Sequence, residues 1–194
     1  MGAPARHLTA TLDEFLAIPQ ERRFHELVDG ELVEKEAGSG KHGEAQTRLG
    51  RELGPFDRGP GGPPERPGGW RFASEVEVYF DAKNTLRPDN AGWRREHLPE
   101  MPASVPIQVV PDWICEILST NRTNDLVKKK RVYHLHRVRH YWILDPLAET
   151  LFVYRWGPDG YIEVLAAQRG ERVRAEPFDA IELAVGFFSG EDEE

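Results

Sequence analysis

Two apolar runs frame the centre of the chain. From Val109 to Leu118 almost every residue is apolar, as in a strand covered on both faces, and Tyr141 to Leu144 repeats the pattern before Asp145-Pro146 closes it. Between them, Thr123 to Val138 reads as a helix. Asp125, Lys129 and Tyr133, spaced four apart, share one of its faces, with Val132 and His136 close to the same stripe. Strand, helix, strand predicts a parallel pair joined by a right-handed crossover.

The flanks show shorter periodicities. Thr11 and Glu14 form a capping-box pair ahead of a short helix through Ile18. Phe24 to Lys35 alternates around Asp29-Gly30, a hairpin signal. Gly38 to Gly43 reads as a loop, and His42 to Leu53 as an amphipathic helix carrying Leu49 and Leu53. Gly54 to Gly69 is dense in Gly and Pro and predicts a surface loop. Trp70 to Phe80 alternates throughout and predicts one strand, with Glu75, Glu77 and Tyr79 on one face. A turn at Asp81 to Asn84 leads into a strand from Thr85 to Asp89. Asn90 to Ile107 reads as a long irregular connection, and Leu151 to Ala167 as a hairpin around Gly157-Pro158-Asp159-Gly160. These elements predict a mixed α/β protein.

Length adds that 194 residues make one domain with a sizeable core. We place that domain at residues 9–188, between a flexible N-terminal arm (1–8) and an acidic tail (189–194). No apolar run reaches membrane-spanning length and the N-terminus lacks a signal-peptide pattern, so a cytoplasmic protein without membrane contact is expected. Cys115, the single cysteine, excludes an internal disulfide and a cysteine zinc cluster, and reads as a core residue. The net charge of −8 argues against non-specific coating of nucleic acid. Its distribution is uneven, however. Arg122, Lys128, Lys129, Lys130, Arg131, Arg137 and Arg139 cluster with His134, His136 and His140, either as a solvated helix face or as a phosphate-facing patch.

Candidate chemistry starts with Glu116, a carboxylate inside an apolar strand. Buried ionised Glu is rare unless it is paired or binds a metal. Asp89, after Pro88 at a predicted strand end, is a second candidate ligand, although Pro-Asp-Asn is also turn chemistry. Hard cations such as Mg²⁺ need one or two such acids plus substrate oxygens. Lys129 is the lysine whose helical face turns inward, while Lys128 and Lys130 flank it. Two acids and an ammonium suit metal-assisted phosphodiester hydrolysis. Glu75, Glu77, Asp125 and Tyr133 are candidate supporting residues. The three histidines share no helical face and predict no metal site.

RPDNAGWRREHLP, PDWICEILS, the Asp125–Lys129–Tyr133 spacing and HYWILDP, with HELVDGELVEKEAG and His42 upstream, resemble the Uma family of restriction endonucleases, within the PD-(D/E)XK nuclease superfamily. The resemblance runs from about Phe24 to Trp156. It implies a restriction-endonuclease-like core, a mixed sheet flanked by helices with N-terminal and C-terminal hairpins. It also implies Asp89 and Glu116 as metal-binding acids, Lys129 as the catalytic ammonium, Mg²⁺ or Mn²⁺ as cofactor, and DNA as substrate. Two positions depart from the superfamily pattern. Leu118 stands where a lysine is expected two residues after Glu116, and Asn90 where an aliphatic residue is usual. The rival expectation is a non-catalytic module on the same fold that binds nucleic acid or a protein. A third is an enzyme acting on a small phosphorylated substrate in a closed pocket. A homodimer is an open expectation.

Overall fold

The computed structural model describes residues 8–35, 37–119 and 124–186, with backbone only at 8, 124 and 125. In chain order its elements are β1 (Leu8–Thr9), α1 (Leu12–Ala17), β2 (His25–Val28), β3 (Glu31–Glu34), α2 (Gly40–Glu52), β4 (Trp70–Ser74), β5 (Val78–Asp81), β6 (Asn84–Leu86), β7 (Asn90–Arg94) and β8 (Trp113–Ile117). A π-helical segment over Asn124–Lys129 runs directly into α3 (Lys130–Leu135). The chain continues through β9 (His140–Asp145), β10 (Thr150–Gly157), β11 (Gly160–Gln168), β12 (Arg172–Val173) and β13 (Leu183–Ala184).

The central sheet has six strands in the order β11-β10-β9-β8-β7-β4. β8 and β9 are parallel, as the strand–helix–strand pattern predicts, and the other pairs are antiparallel. A second sheet, β1-β3-β2-β6-β5, packs against one face. β8 divides the core by alternation. Trp113, Cys115 and Ile117 face α2 and the C-terminal segment, packing with Leu49, Leu53 and Phe178. Ile114 and Leu118 face α3 and the second sheet, packing with Val132, Tyr133, Val78 and Leu86. Glu116 shares that second face and is fully buried.

Local signals are met where the chemistry is local. Thr11 caps α1 with the reciprocal Glu14 bond of a capping box. Asp29 and Gly30 take the positive φ that a two-residue hairpin turn requires. The Asp145 carboxylate accepts from the Leu147 and Ala148 amides, the turn that closes β9. Cys115 is a buried core residue, its thiol pushed well up by burial and the nearby Asp89 and Glu116 charges. The helix after β3 starts at Gly40, where Ser39 caps it, two residues ahead of the predicted start.

Three expectations need correction. The alternating run from Trp70 to Phe80 is two strands in different sheets, broken at Glu75, whose φ is +56°. The predicted strand over Thr85 to Asp89 ends at Leu86. The supposedly irregular stretch after Asn90 opens with β7, an interior strand between β4 and β8. β7 escaped notice because its middle is Ala91-Gly92. A Cβ at Gly92 would lie 2.9 Å from Phe72 Cε1 and 3.1 Å from Trp113 Cε3, two rings that meet edge to face at 5.8 Å. Packing, not strand propensity, chose this residue. Gly92→Ala is expected to lower stability by about 1–3 kcal/mol through overpacking, read as a shift in urea midpoint.

Candidate active site

Three connections and the first turn of α2 bring side chains together at the start of β7. Lys35 follows β3 and extends the hairpin by its N–H to the Phe24 carbonyl, 2.8 Å. His42 sits in the first turn of α2, its amide held by the Ser39 hydroxyl. Glu75 ends the β4 run, its amide bonded to the Pro88 carbonyl. Asp89 immediately precedes β7. Its carbonyl accepts from Gln46 Nε2 at 2.6 Å, which ties α2 to the start of β7.

Asp89 is the junction of the site, 3% exposed. Its Oδ1 is 3.0 Å from Lys35 Nζ and 3.5 Å from His42 Nε2, and its Oδ2 accepts from the Ile117 amide at 2.7 Å. Lys35 Nζ is also 2.8 Å from Glu75 Oε2. A cavity of about 380 Å³ opens beside these groups, lined by Phe24, Lys35, His42, Gln46, Glu75 and Arg87 among others.

Burial alone would raise the Asp89 carboxyl. The Lys35 ammonium, the His42 contact and the field of Lys129 outweigh it and hold Asp89 well below the usual carboxylate range. The same contact raises His42, with burial opposing. Glu75 is raised, first by withdrawal from water and further by Asp89, against the pull of Lys35. Burial works against the Lys35 ammonium and Asp89 supports it, with a raised net result.

These shifts fix signs. Asp89 contributes stability above its ordinary titration range, and that contribution is lost as pH falls through the lowered value. His42 contributes stability that is fully present below its ordinary value of 6.5 and lost as pH rises through the raised one. The stability difference between wild type and His42→Asn is therefore expected to be larger at pH 5.5 than at pH 9. Urea melts at the two values check it, and an equal difference would refute the His42–Asp89 coupling.

Glu116 belongs to an adjoining, drier cluster. The β7–β8 register pairs Asn90 with Cys115, so one step back Asp89 faces Glu116 across the strands. Lys129 Nζ lies 3.4 Å from Glu116 Oε1 and 3.1 Å from Glu26 Oε2. The Tyr133 hydroxyl donates to Glu116 Oε1. Burial, then the Glu116 charge, pushes the Tyr133 hydroxyl well up, so it stays a donor. The two clusters share one field, since Lys35 feels Asp89, Lys129, Glu26 and Glu116 together.

The structure thus brings Glu116, Lys129 and Tyr133 into direct contact and sets Asp89 beside them through Ile117. Among the three consecutive lysines, only Lys129 reaches these acids. Lys128 lies 3.4 Å from Glu31, and Lys130 stacks on the Tyr154 ring at 3.6 Å. Glu75 is at the cavity. Glu77 is instead paired with Arg23 at 2.5 Å, a guanidinium that also bonds the Leu16 and Ile18 carbonyls. The Asp125 side chain and Arg122 lie outside the described residues, as does the acidic tail. His134 bonds the Gly157 carbonyl and His136 bonds Asp81, so neither joins the site.

Sequence reasoning missed Lys35, Glu26 and the placement of His42 and Glu75 around Asp89. Glu26 had a signal, an acid beside the apolar Leu27-Val28 of a hairpin strand. His42 and Gln46 had another, an i, i+4 polar pair on one face of α2. Lys35 had none.

One imidazole nitrogen and two carboxylate oxygens, from His42, Glu75 and Asp89, lie within 4.8 Å of one another. Ligands on a common small cation sit up to about 4.3 Å apart, so a few tenths of an ångström of side-chain adjustment would close the set on an ion. Two hard carboxylates suit Mg²⁺ or Mn²⁺, and the imidazole tilts the set towards Mn²⁺.

A mixed central sheet flanked by few helices, with acids at Asp89 and Glu116 and a lysine reaching Glu116 from the adjoining helix, is the restriction-endonuclease-like class. The chain belongs to the Uma2 family, described as "Putative restriction endonuclease", whose family model matches residues 12–186. Family and fold together support a nuclease role. Among solved structures, the chain is similar to a protein of Anabaena variabilis ATCC 29413 described as "a putative nuclease belonging to DUF820". The TM-score is 0.71 at 23% identity, covering 92% of this chain and 97% of that one. No curated protein matches. Among the described residues, no helix is long and apolar enough to cross a membrane.

Proposed function

We propose that the chain is a divalent-metal-dependent endonuclease that hydrolyses DNA phosphodiester bonds, with Asp89, Glu116 and Lys129 as its central residues and His42 and Glu75 completing the donor set around Asp89. The observation that carries this reading is the position of Asp89. One oxygen faces the cavity donors, while the other is fixed by the amide next to Glu116. A bound Mg²⁺ or Mn²⁺ would neutralise phosphate charge and make a water a better nucleophile.

The chain's own residues supply the rest. Asp89, held ionised by its neighbours, sets its charge directly behind the cavity-lining Lys35 and His42. Glu116 lies behind Asp89 in the buried layer, and Lys129 bridges it to Glu26 as their shared counter-charge. Lys35 and Arg87 line the cavity as cations that meet backbone phosphates. Glu75, with its side chain 38% exposed, leaves the cavity in contact with solvent, which favours a polymer strand over a small enclosed substrate. The rival non-catalytic module draws on Leu118 and the −8 charge. Lys129 answers the first by placing an ammonium on Glu116 from the helix.

The test is cleavage of plasmid and single-stranded DNA with Mg²⁺ or Mn²⁺, beside Glu116→Gln. Metal-dependent cleavage that the variant lacks supports the proposal, and no cleavage of either substrate favours the non-catalytic module. Cytoplasmic location and a homodimer remain expectations of the same reading.

A further inference from the structure

Lys35 is held by three oxygens: Asp89 Oδ1 at 3.0 Å, Glu75 Oε2 at 2.8 Å and the Arg87 carbonyl at 2.5 Å. An ammonium has three protons, so this arrangement uses its full donor capacity. Two of those partners, Asp89 and Glu75, are also two of the three members of the donor set with His42. An ammonium and a divalent ion cannot both occupy these carboxylates at contact distance without strong mutual repulsion.

We infer that Lys35 is the protein's own counter-cation at this site. Its ammonium competes with a divalent ion for Asp89 and Glu75, and the ion binds as Lys35 swings off them. The inference rests on the metal reading proposed above and adds a regulatory element to it. Lys35 reaches in from the end of β3, and its side chain is 14% exposed and lines the cavity. The displaced head therefore has room on the solvent side, where a substrate phosphate would meet it. Metal affinity is set low until a phosphate gives the lysine another partner, which couples metal uptake to substrate binding.

The test is calorimetric titration of Mn²⁺ into wild type, Lys35→Met, Lys35→Gln and Asp89→Asn, with circular dichroism to confirm folding. The two Lys35 variants remove the charge with different side-chain polarity, so one misfolding variant does not remove the test. Both are expected to bind Mn²⁺ at least tenfold more tightly than wild type, and Asp89→Asn is expected to lose binding. Tighter binding in a folded Lys35 variant supports the inference even where wild-type binding is too weak to measure. Unchanged or weaker binding by the Lys35 variants, with wild-type binding that Asp89→Asn removes, overturns the inference and leaves the metal site standing. No Mn²⁺ binding by wild type or any Lys35 variant overturns both. A second readout needs no variant. Acylation of Lys35 by an amine-reactive ester, followed by peptide mass spectrometry, should quicken several-fold when Mn²⁺ is added to wild type. A rate that fails to rise in Mn²⁺-saturated protein also overturns the inference.

Discussion

On the proposed function, Asp89→Asn and Glu116→Gln are each expected to lower metal-dependent DNA cleavage by about two to three orders of magnitude, the range seen when a preorganised charge or metal ligand is removed. Both substitutions keep an oxygen acceptor and remove a charge. At Asp89 the retained acceptor can still receive the Ile117 amide, now at 2.7 Å, while the charge facing Lys35 and His42 is gone. At Glu116 the Tyr133 hydroxyl and Lys129 keep a polar partner. Both variants are expected to melt at lower urea than wild type, because each loses a buried charge paired with Lys35 or Lys129, so rates compared well below those midpoints report chemistry and not unfolding. Initial rates on supercoiled plasmid with Mn²⁺, beside urea melts of the same preparations, make the comparison. Either variant cutting at the wild-type rate would move the chemistry to other residues.

The asymmetry between what sequence revealed and what it hid follows from the range of each interaction. Thr11 and Glu14 are three residues apart, and Asp29-Gly30 is a turn by its own backbone preferences, so both are legible locally. So is the choice of Lys129 over Lys128 and Lys130, because a helix fixes which of three consecutive side chains shares a face with Tyr133. The split at Glu75 is of another kind. Trp70 to Phe80 alternates without interruption, yet β4 and β5 enter different sheets. Periodicity reports that one face is apolar; it does not say which apolar surface that face will meet.

The same limit shaped the site. Glu116 announced itself as a charge in an apolar strand, and Asp89 by its position after Pro88. Their surroundings did not. Lys35 and Asp89 are 54 residues apart and meet only because β3 and the start of β7 converge. Glu26 lies 90 residues before Glu116 in the sequence, and Lys129 bridges them across the two sheets. A charge in an apolar strand shows that a partner must exist without naming it. The partner is a property of the assembled layers.

Lys129→Met is expected to destabilise the protein by about 3–5 kcal/mol, the penalty for breaking a buried ion pair by removing one partner. Lys129 is 4% exposed and sits between Glu26 and Glu116, which are 3% and 0% exposed. Methionine fills the space of the stem but leaves two carboxylates facing each other away from water. Its neighbours on the same helical turn provide the contrast. Lys128 pairs with Glu31 where both side chains are about one-third exposed, and Lys130 rests on the Tyr154 ring. Lys128→Met and Lys130→Met should each change stability by less than about 1 kcal/mol. Glu26→Gln added to Lys129→Met removes one of the opposed charges and should recover part of the loss, a coupling that a double-mutant cycle measures directly. Chemical denaturation of wild type, the three lysine variants, Glu26→Gln and the double variant decides the matter. Equal, small losses at all three lysines would mean that Lys129 is solvated in solution and that its bridge between Glu26 and Glu116 does not hold the two sheets together.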